Sequence, residues 1–290
     1  MVEEAVRTFD RKWGEKWQRF GFEGESGTKS FREWWYRKYN WTVDSLAEFL
    51  AKQQRILDAG CGTGHDVAMF AELTDGVVYG LELAPLACEV ATRNVGHRHN
   101  AKIICGDILA PPFELESFDF IAAEGVLHHT PSTKAALLSL VRLLRPGGLI
   151  QFYIYKKKAP LRERTDDYLR DAMSEMPFDI CAEACEGLTA LGKALSNLNA
   201  TIELPPIPLL GVKGGKYDLQ RFIYYHFIKC FWNDEMTWDE NVLVNVDWYN
   251  PQYAHRHTPT EVLEWCAEFG LHIASISVDE SGIAVKAVKE

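Results

Sequence analysis

Short apolar runs alternate with amphipathic stretches through the middle of the chain. Arg55-Ile56-Leu57-Asp58 reads as a strand, and residues 66–73 as a helix. A strand over 77–82 precedes a helix over 85–93 that has Pro85 in its first turn, where a missing N–H costs nothing. Strands follow at 102–105 and 118–123. In the stretch 132–144, Leu137, Leu140, Val141 and Leu144 recur at helical spacing. Arg145-Pro146-Gly147-Gly148 breaks that helix before a strand over 149–155. Regular strand–helix alternation predicts a parallel sheet covered on both faces.

The flanks differ. Residues 1–50 are aromatic and charged. Ser30 is positioned to cap a helix from Phe31, whose positions 31, 34, 35 and 38 form an aromatic, basic face. Residues 156–246 break the rhythm with a lysine triplet, helical stretches, and Pro-rich and Gly-rich turns. From 247 regular structure returns. Thr258-Pro259-Thr260-Glu261 combines an N-cap, a first-turn proline and a capping box, and Gly270 supplies the stop. Two strands, 271–278 and 283–288, then pair across Ser281-Gly282. The expected organisation is an aromatic helical lid (1–50), a core (51–155 with 247–290) and an inserted lid or substrate subdomain (156–246).

Candidate chemistry begins at Asp58-Ala59-Gly60-Cys61-Gly62-Thr63-Gly64. A strand runs into three alternate glycines, which allow a tight turn and close approach of a ligand to the backbone. A dinucleotide fingerprint needs glycine where His65 stands, which disfavours a pyrophosphate loop and an NAD-dependent oxidoreductase.

An acidic residue before these glycines resembles motif I of the class I S-adenosylmethionine-dependent methyltransferases, of the small-molecule type 11/25-like kind. Four further segments agree in order: Glu82 ending the second strand, Gly106-Asp107-Ile108 after the third, Phe118-Asp119-Phe120-Ile121 leading to Val126-Leu127-His128-His129, and Leu143-Leu144-Arg145-Pro146-Gly147-Gly148. The resemblance implies an α/β, Rossmann-like fold with a seven-stranded, mostly parallel sheet and an antiparallel last strand, here carrying a helical lid insertion. It implies S-adenosyl-L-methionine as cofactor. Asp58, Gly60, Cys61, Gly62 and Gly64 would form its loop, Glu82 and Leu83 the ribose end, Asp107 and Ile108 the adenine end, and Glu124 a further contact. His128 matches a position used as general base by some members, and His129 is its alternate.

A second polar cluster spans 247–258. His255 and His257 alternate, so extended backbone turns both to one side. Tyr253, His255, Arg256 and His257 are candidate substrate contacts, with Arg256 suited to a carboxylate or phosphate. No acidic pair suggests a catalytic metal.

Composition narrows the class. At 290 residues, with 47% apolar and 25% charged, the chain is ordinary globular material. A net charge of −10 argues against non-specific nucleic-acid binding. No apolar run approaches the roughly 20 residues of a membrane helix. Residues 1–10 lack an apolar signal core. Seven cysteines, odd in number and without a CxxC, read as reduced thiols. These features predict a cytoplasmic protein without membrane or nucleic-acid partners. The resemblance implies an enzyme that transfers a methyl group to oxygen or nitrogen of a small metabolite in secondary metabolism or sugar modification. The alternatives are a peptide or protein side-chain methyltransferase, and a cofactor-binding protein without turnover.

Overall fold

The computed structural model describes residues 29–290; the expectation for the first 28 residues of the lid lies outside them. Helices α1 (Lys29–Lys38) and α2 (Val43–Leu50) lead to β1 (Arg55–Ala59). There follow α3 (His65–Glu72), β2 (Val77–Glu82), α4 (Pro85–Val95), β3 (Ala101–Cys105) and β4 (Phe118–Glu124). A single 3-10 turn, Leu127–His129, precedes α5 (Thr133–Leu143) and β5 (Leu144–Tyr155).

Two compact units divide the chain, residues 157–252 forming the second. That unit contains α6 (Pro160–Met173), α7 (Phe178–Asn197), the antiparallel pair β6 (Thr201–Leu204) and β7 (Gly215–Asp218), α8 (Leu219–His226) and α9 (Trp238–Tyr249). The first unit resumes with α10 (Pro259–Glu268), β8 (Leu271–Val278) and β9 (Gly282–Lys289).

The first unit is built on one seven-stranded sheet of order β3-β2-β1-β4-β5-β9-β8. β1 through β5 pair in parallel, and β9 inserts antiparallel between β5 and β8. Strand residues alternate between two cores. Ile56 and Phe120 pack with Leu46, Leu50, Val67 and Phe70 on one face. Leu57 and Ile121 pack with Leu137, Leu140, Val262 and Cys266 on the other. The chain order reverses at β1, which lies between β2 and β4. In open α/β sheets, ligands bind at the carboxyl ends beside such a switch point.

Element boundaries follow the local signals closely. Thr258 caps α10 through a full capping box, and Gly270 takes φ +66° just past its end. Three expectations change. Helix α1 begins at Lys29, ahead of the expected start at Phe31, so position 30 lies inside it. Helix α5 ends at Leu143 as expected, but β5 begins at Leu144, ahead of the expected start at Leu149: Phe118 pairs with Leu144 and Phe120 with Leu149, so Arg145-Pro146-Gly147-Gly148 bulges within the ladder. The insertion ends beyond residue 246, because α9, capped by Thr237 with Glu240, continues through Tyr249.

The described part of the expected lid is fixed into the sheet unit. Trp35 and Tyr39 are buried among the residues that pack against Phe70 and Phe120. Trp41 donates its indole N–H to Gln151 at 2.9 Å, and Trp34 donates to Asp279 at 3.1 Å. Aromatic area that has no place within the sheet is accommodated on its face.

The second unit is organised around a buried ion pair. Arg162 and Asp166, one helical turn apart on α6, meet at 2.7 Å with both side chains almost wholly enclosed. Tyr249 donates its hydroxyl to Asp166 at 3.1 Å, and the Arg162 guanidinium lies 5.3 Å from the Trp248 ring. Enclosed charges need partners on every side, and these groups supply them.

Candidate cofactor and acceptor site

The turn after β1 is held by its backbone. Gly60 and Cys61 both donate to the Leu81 carbonyl at the end of β2, at 2.7 and 3.1 Å. Gly60, Gly62 and Gly64 take φ of +76°, +52° and +81°. A Cβ on Gly60 would sit 2.4 Å from Val126, so only glycine lets this turn lie against the segment after β4.

Glu82 closes the same corner from β2. One carboxylate oxygen accepts the Gly62 N–H at 3.0 Å; the other accepts from Leu83 at 2.9 Å and Ala84 at 3.0 Å. Glu82 therefore ties the glycine turn to the strand that bears it, a role that spacing alone does not reveal. Cys61 is buried and its thiol is pushed well up by burial, so it packs as a neutral side chain, lying 2.7 Å from where a Cβ on Gly80 would be.

After β3, Asp107 accepts the Leu109 N–H at 2.8 Å and shapes the loop. Ile108 is buried in the core that holds Leu81 and Leu127.

The electrostatics of this edge are unusual. Burial pushes the Asp58 carboxyl well above the usual range, and the charges of Asp66, Glu124 and Glu82 push it further. Asp66, the second residue of α3, is raised to about 7 by burial and by Glu124, against the opposing pull of Lys38. Four carboxylates thus crowd the glycine turn. Lys38 pairs with one oxygen of Glu124, and the Tyr39 hydroxyl donates to the other at 2.7 Å. Lys38, Tyr39 and Asp66 are missing from the expected site. The basic position at 38 on an aromatic face was the only signal for the first, and nothing local connects it to residue 124.

This edge fits a ligand that approaches the backbone closely and carries positive charge. The glycine turn provides the approach, and the crowded carboxylates, costly by themselves, gain from a cation. S-adenosylmethionine, with a sulfonium and an α-ammonium, satisfies both conditions.

The candidate acceptor residues gather just beyond β4. His128 is fully enclosed, its ring 3.7 Å centroid to centroid from Tyr155 and 4.3 Å from His129. His129 Nδ1 lies 2.7 Å from the Tyr253 carbonyl. Because a carbonyl only accepts, Nδ1 carries the hydrogen in this contact. The 253–258 segment runs alongside: His255 N–H donates to the His128 carbonyl at 3.0 Å, and His257 N–H to the Tyr155 carbonyl at 2.9 Å. Tyr253 and His255 stack at 5.8 Å, and the His255 and His257 rings lie 6.3 Å apart. His257 is also anchored by Thr133 Oγ1 at 2.9 Å and by the edge of Trp265. Arg256, between them, is partly buried.

Comparison with known proteins agrees with this geometry. Residues 57–152 match a family profile described as a methyltransferase domain. A sterol 24-C-methyltransferase of Aspergillus fumigatus is 28% identical over 213 residues, covering 70% of this chain and 52% of that protein. A demethylmenaquinone methyltransferase of Geobacillus stearothermophilus is 30% identical over 118 residues, covering 39% and 50%. The chain therefore spans about half the length of these curated relatives. Among solved structures, magnesium protoporphyrin IX methyltransferase from Synechocystis with bound S-adenosylmethionine aligns over 100% of this chain and 97% of its own, with a TM-score of 0.51 and 12% identity. That likeness is one of fold. The sheet and its glycine edge define a Rossmann-like class I architecture. Residues 57–152 carry a methyltransferase domain.

Proposed function

We propose that this protein transfers the methyl group of S-adenosylmethionine to an oxygen or nitrogen atom of a small-molecule acceptor. The supporting observation is the meeting of two polar clusters on one sheet edge: His255 bonds to the His128 backbone, and His129 to the Tyr253 backbone. The bound cofactor supplies an electrophilic methyl on a good leaving group. The protein's own contribution is then to hold the acceptor in line and take its proton.

His129 is better suited to that proton than His128. The Tyr253 carbonyl accepts from the His129 Nδ1 and fixes the orientation of the ring, whereas His128 has no exposed surface and packs against Tyr155. Tyr253, His255 and Arg256 would position the acceptor, with Arg256 pairing a carboxylate or phosphate on it. Asp58, Gly60, Gly62, Gly64, Glu82 and Asp107 would hold the cofactor, with Cys61, Leu83 and Ile108 shaping its walls.

The names of the two relatives refer to a sterol carbon and to demethylmenaquinone. A decisive assay therefore presents phenols, sugar hydroxyls, amines and an isoprenoid quinone precursor, and follows formation of S-adenosylhomocysteine and a methylated product by mass spectrometry. Methylation of an oxygen or nitrogen acceptor supports the reading. Methylation of carbon alone, or of peptide substrates alone, overturns the acceptor assignment. Cofactor binding without turnover on any acceptor favours a binding protein.

A further inference from the structure

Helix α1 brings a cation to the glycine edge. Lys38 is 4% exposed, its ammonium 3.6 Å from the Trp34 ring centroid and 4.5 Å from that of Tyr153. It pairs with Glu124, whose second oxygen accepts from Tyr39 at 2.7 Å. Burying an ammonium so completely is costly, and burial pulls its pKa down while Glu124, Asp66 and Asp279 pull it back up. An ordinary packing position on this helix would carry an apolar side chain.

Glu124 occupies the boundary between that cation and the cofactor edge. It ends β4, next to β1, and precedes Gly125, at φ +66° with open space beside it. Val126 then lies against the Gly60 turn. Asp58 on β1 and Asp66 on α3 both feel the Glu124 charge. The groups facing Glu124 are therefore Lys38 and Tyr39 from α1, Asp66 from α3 and Asp58 from β1. Lys38 offsets part of the negative field that these carboxylates direct at the site.

We propose that the Lys38–Glu124 pair sets the selectivity of the site between the cationic S-adenosylmethionine and its neutral product S-adenosylhomocysteine, with Lys38 and Tyr39 as positioning residues that hold the Glu124 side chain in place. The inference rests on the cofactor reading above and deepens it. The two nucleosides differ only by a methyl group and one positive charge. A change in the field therefore alters the ratio of their affinities, whereas general damage to the fold weakens both alike. Too strong a negative field would hold the cationic form too firmly, and too weak a field would favour the product and stall release.

The test is calorimetric titration of both nucleosides into wild-type protein, Lys38→Met, Lys38→Arg, Glu124→Gln and the double variant Lys38→Met/Glu124→Gln at pH 8. Removing the lysine charge should raise the ratio of the S-adenosylhomocysteine Kd to the S-adenosylmethionine Kd by about three- to tenfold, and removing the glutamate charge should lower it by a similar factor, as a unit charge at partly screened range would. Lys38→Arg should keep the wild-type ratio, and the double variant should restore it. Ratios for Lys38→Met and Glu124→Gln that stay within about twofold of wild type overturn the proposal. If Lys38→Met does not fold, Glu124→Gln decides: a lowered ratio supports the inference and an unchanged one overturns it. Failure of both nucleosides to bind wild-type protein would instead overturn the cofactor reading.

Discussion

The main-chain N–H of His255 donates to the main-chain carbonyl of His128 at 3.0 Å, joining residues 127 positions apart in the chain. Beside it, His129 Nδ1 reaches the Tyr253 carbonyl. The bonds fasten the histidine turn after β4 to the segment that precedes α10. A ring held in this way has one orientation, which is what a general base requires.

His129→Ala should therefore lower kcat by about 10²- to 10⁴-fold on an oxygen or protonated-amine acceptor. S-adenosylhomocysteine affinity should stay within about twofold of wild type, because the ring lies outside the glycine turn. Steady-state kinetics with parallel calorimetry checks both. Retained kcat would remove His129 as base.

Glu82→Gln retains the shape of the side chain but gives up an acceptor and the charge. With hydrogen bonds to a charged group worth roughly 1.5–3 kcal/mol each, affinity for S-adenosylhomocysteine should fall by about 10- to 100-fold. Glu82→Ala should fall further and also lose thermal stability, since the Gly62, Leu83 and Ala84 amides lose their acceptor. Thermal melts of both variants beside the titrations separate the two effects.

Asp66 gives a pH dependence of definite sign. Its carboxyl is raised from an ordinary 3.8 to about 7. Between those values the folded protein holds a proton that the unfolded chain has released, so this group's contribution to stability falls as pH rises through the window. Asp66→Asn should accordingly raise Tm at pH 7.5 and leave it nearly unchanged near pH 4. Scanning calorimetry across that range tests the sign. A stabilisation larger at pH 4 would contradict it.

In the second unit, Asp166→Ala strips the partner from a fully enclosed guanidinium. Loss of one member of a buried pair typically costs about 3–5 kcal/mol. Urea denaturation should show at least that loss for Asp166→Ala. Replacing both, as in Arg162→Met/Asp166→Leu, should recover much of it. Additive losses in the double variant would show that the two side chains do not act as a pair.

The sheet was legible in sequence because its signals are short-range. The alternation of strands and helices, the proline opening α4, the Thr258–Glu261 capping box and the stop at Gly270 each depend on residues within one or two turns of one another. The glycine turn was legible for the same reason, since its positive φ values are a local steric requirement. Only the tertiary structure could show that Gly60 must be small because Val126 abuts it, or that Glu82 spends its oxygens on the amides of that turn. The same holds for Lys38 and Tyr39 meeting Glu124. A charged side chain carries no periodic mark of its partner when the two are 86 positions apart. The pairing exists only once the sheet has formed and α1 has been laid on its face, where burial makes an unpaired charge too costly to leave.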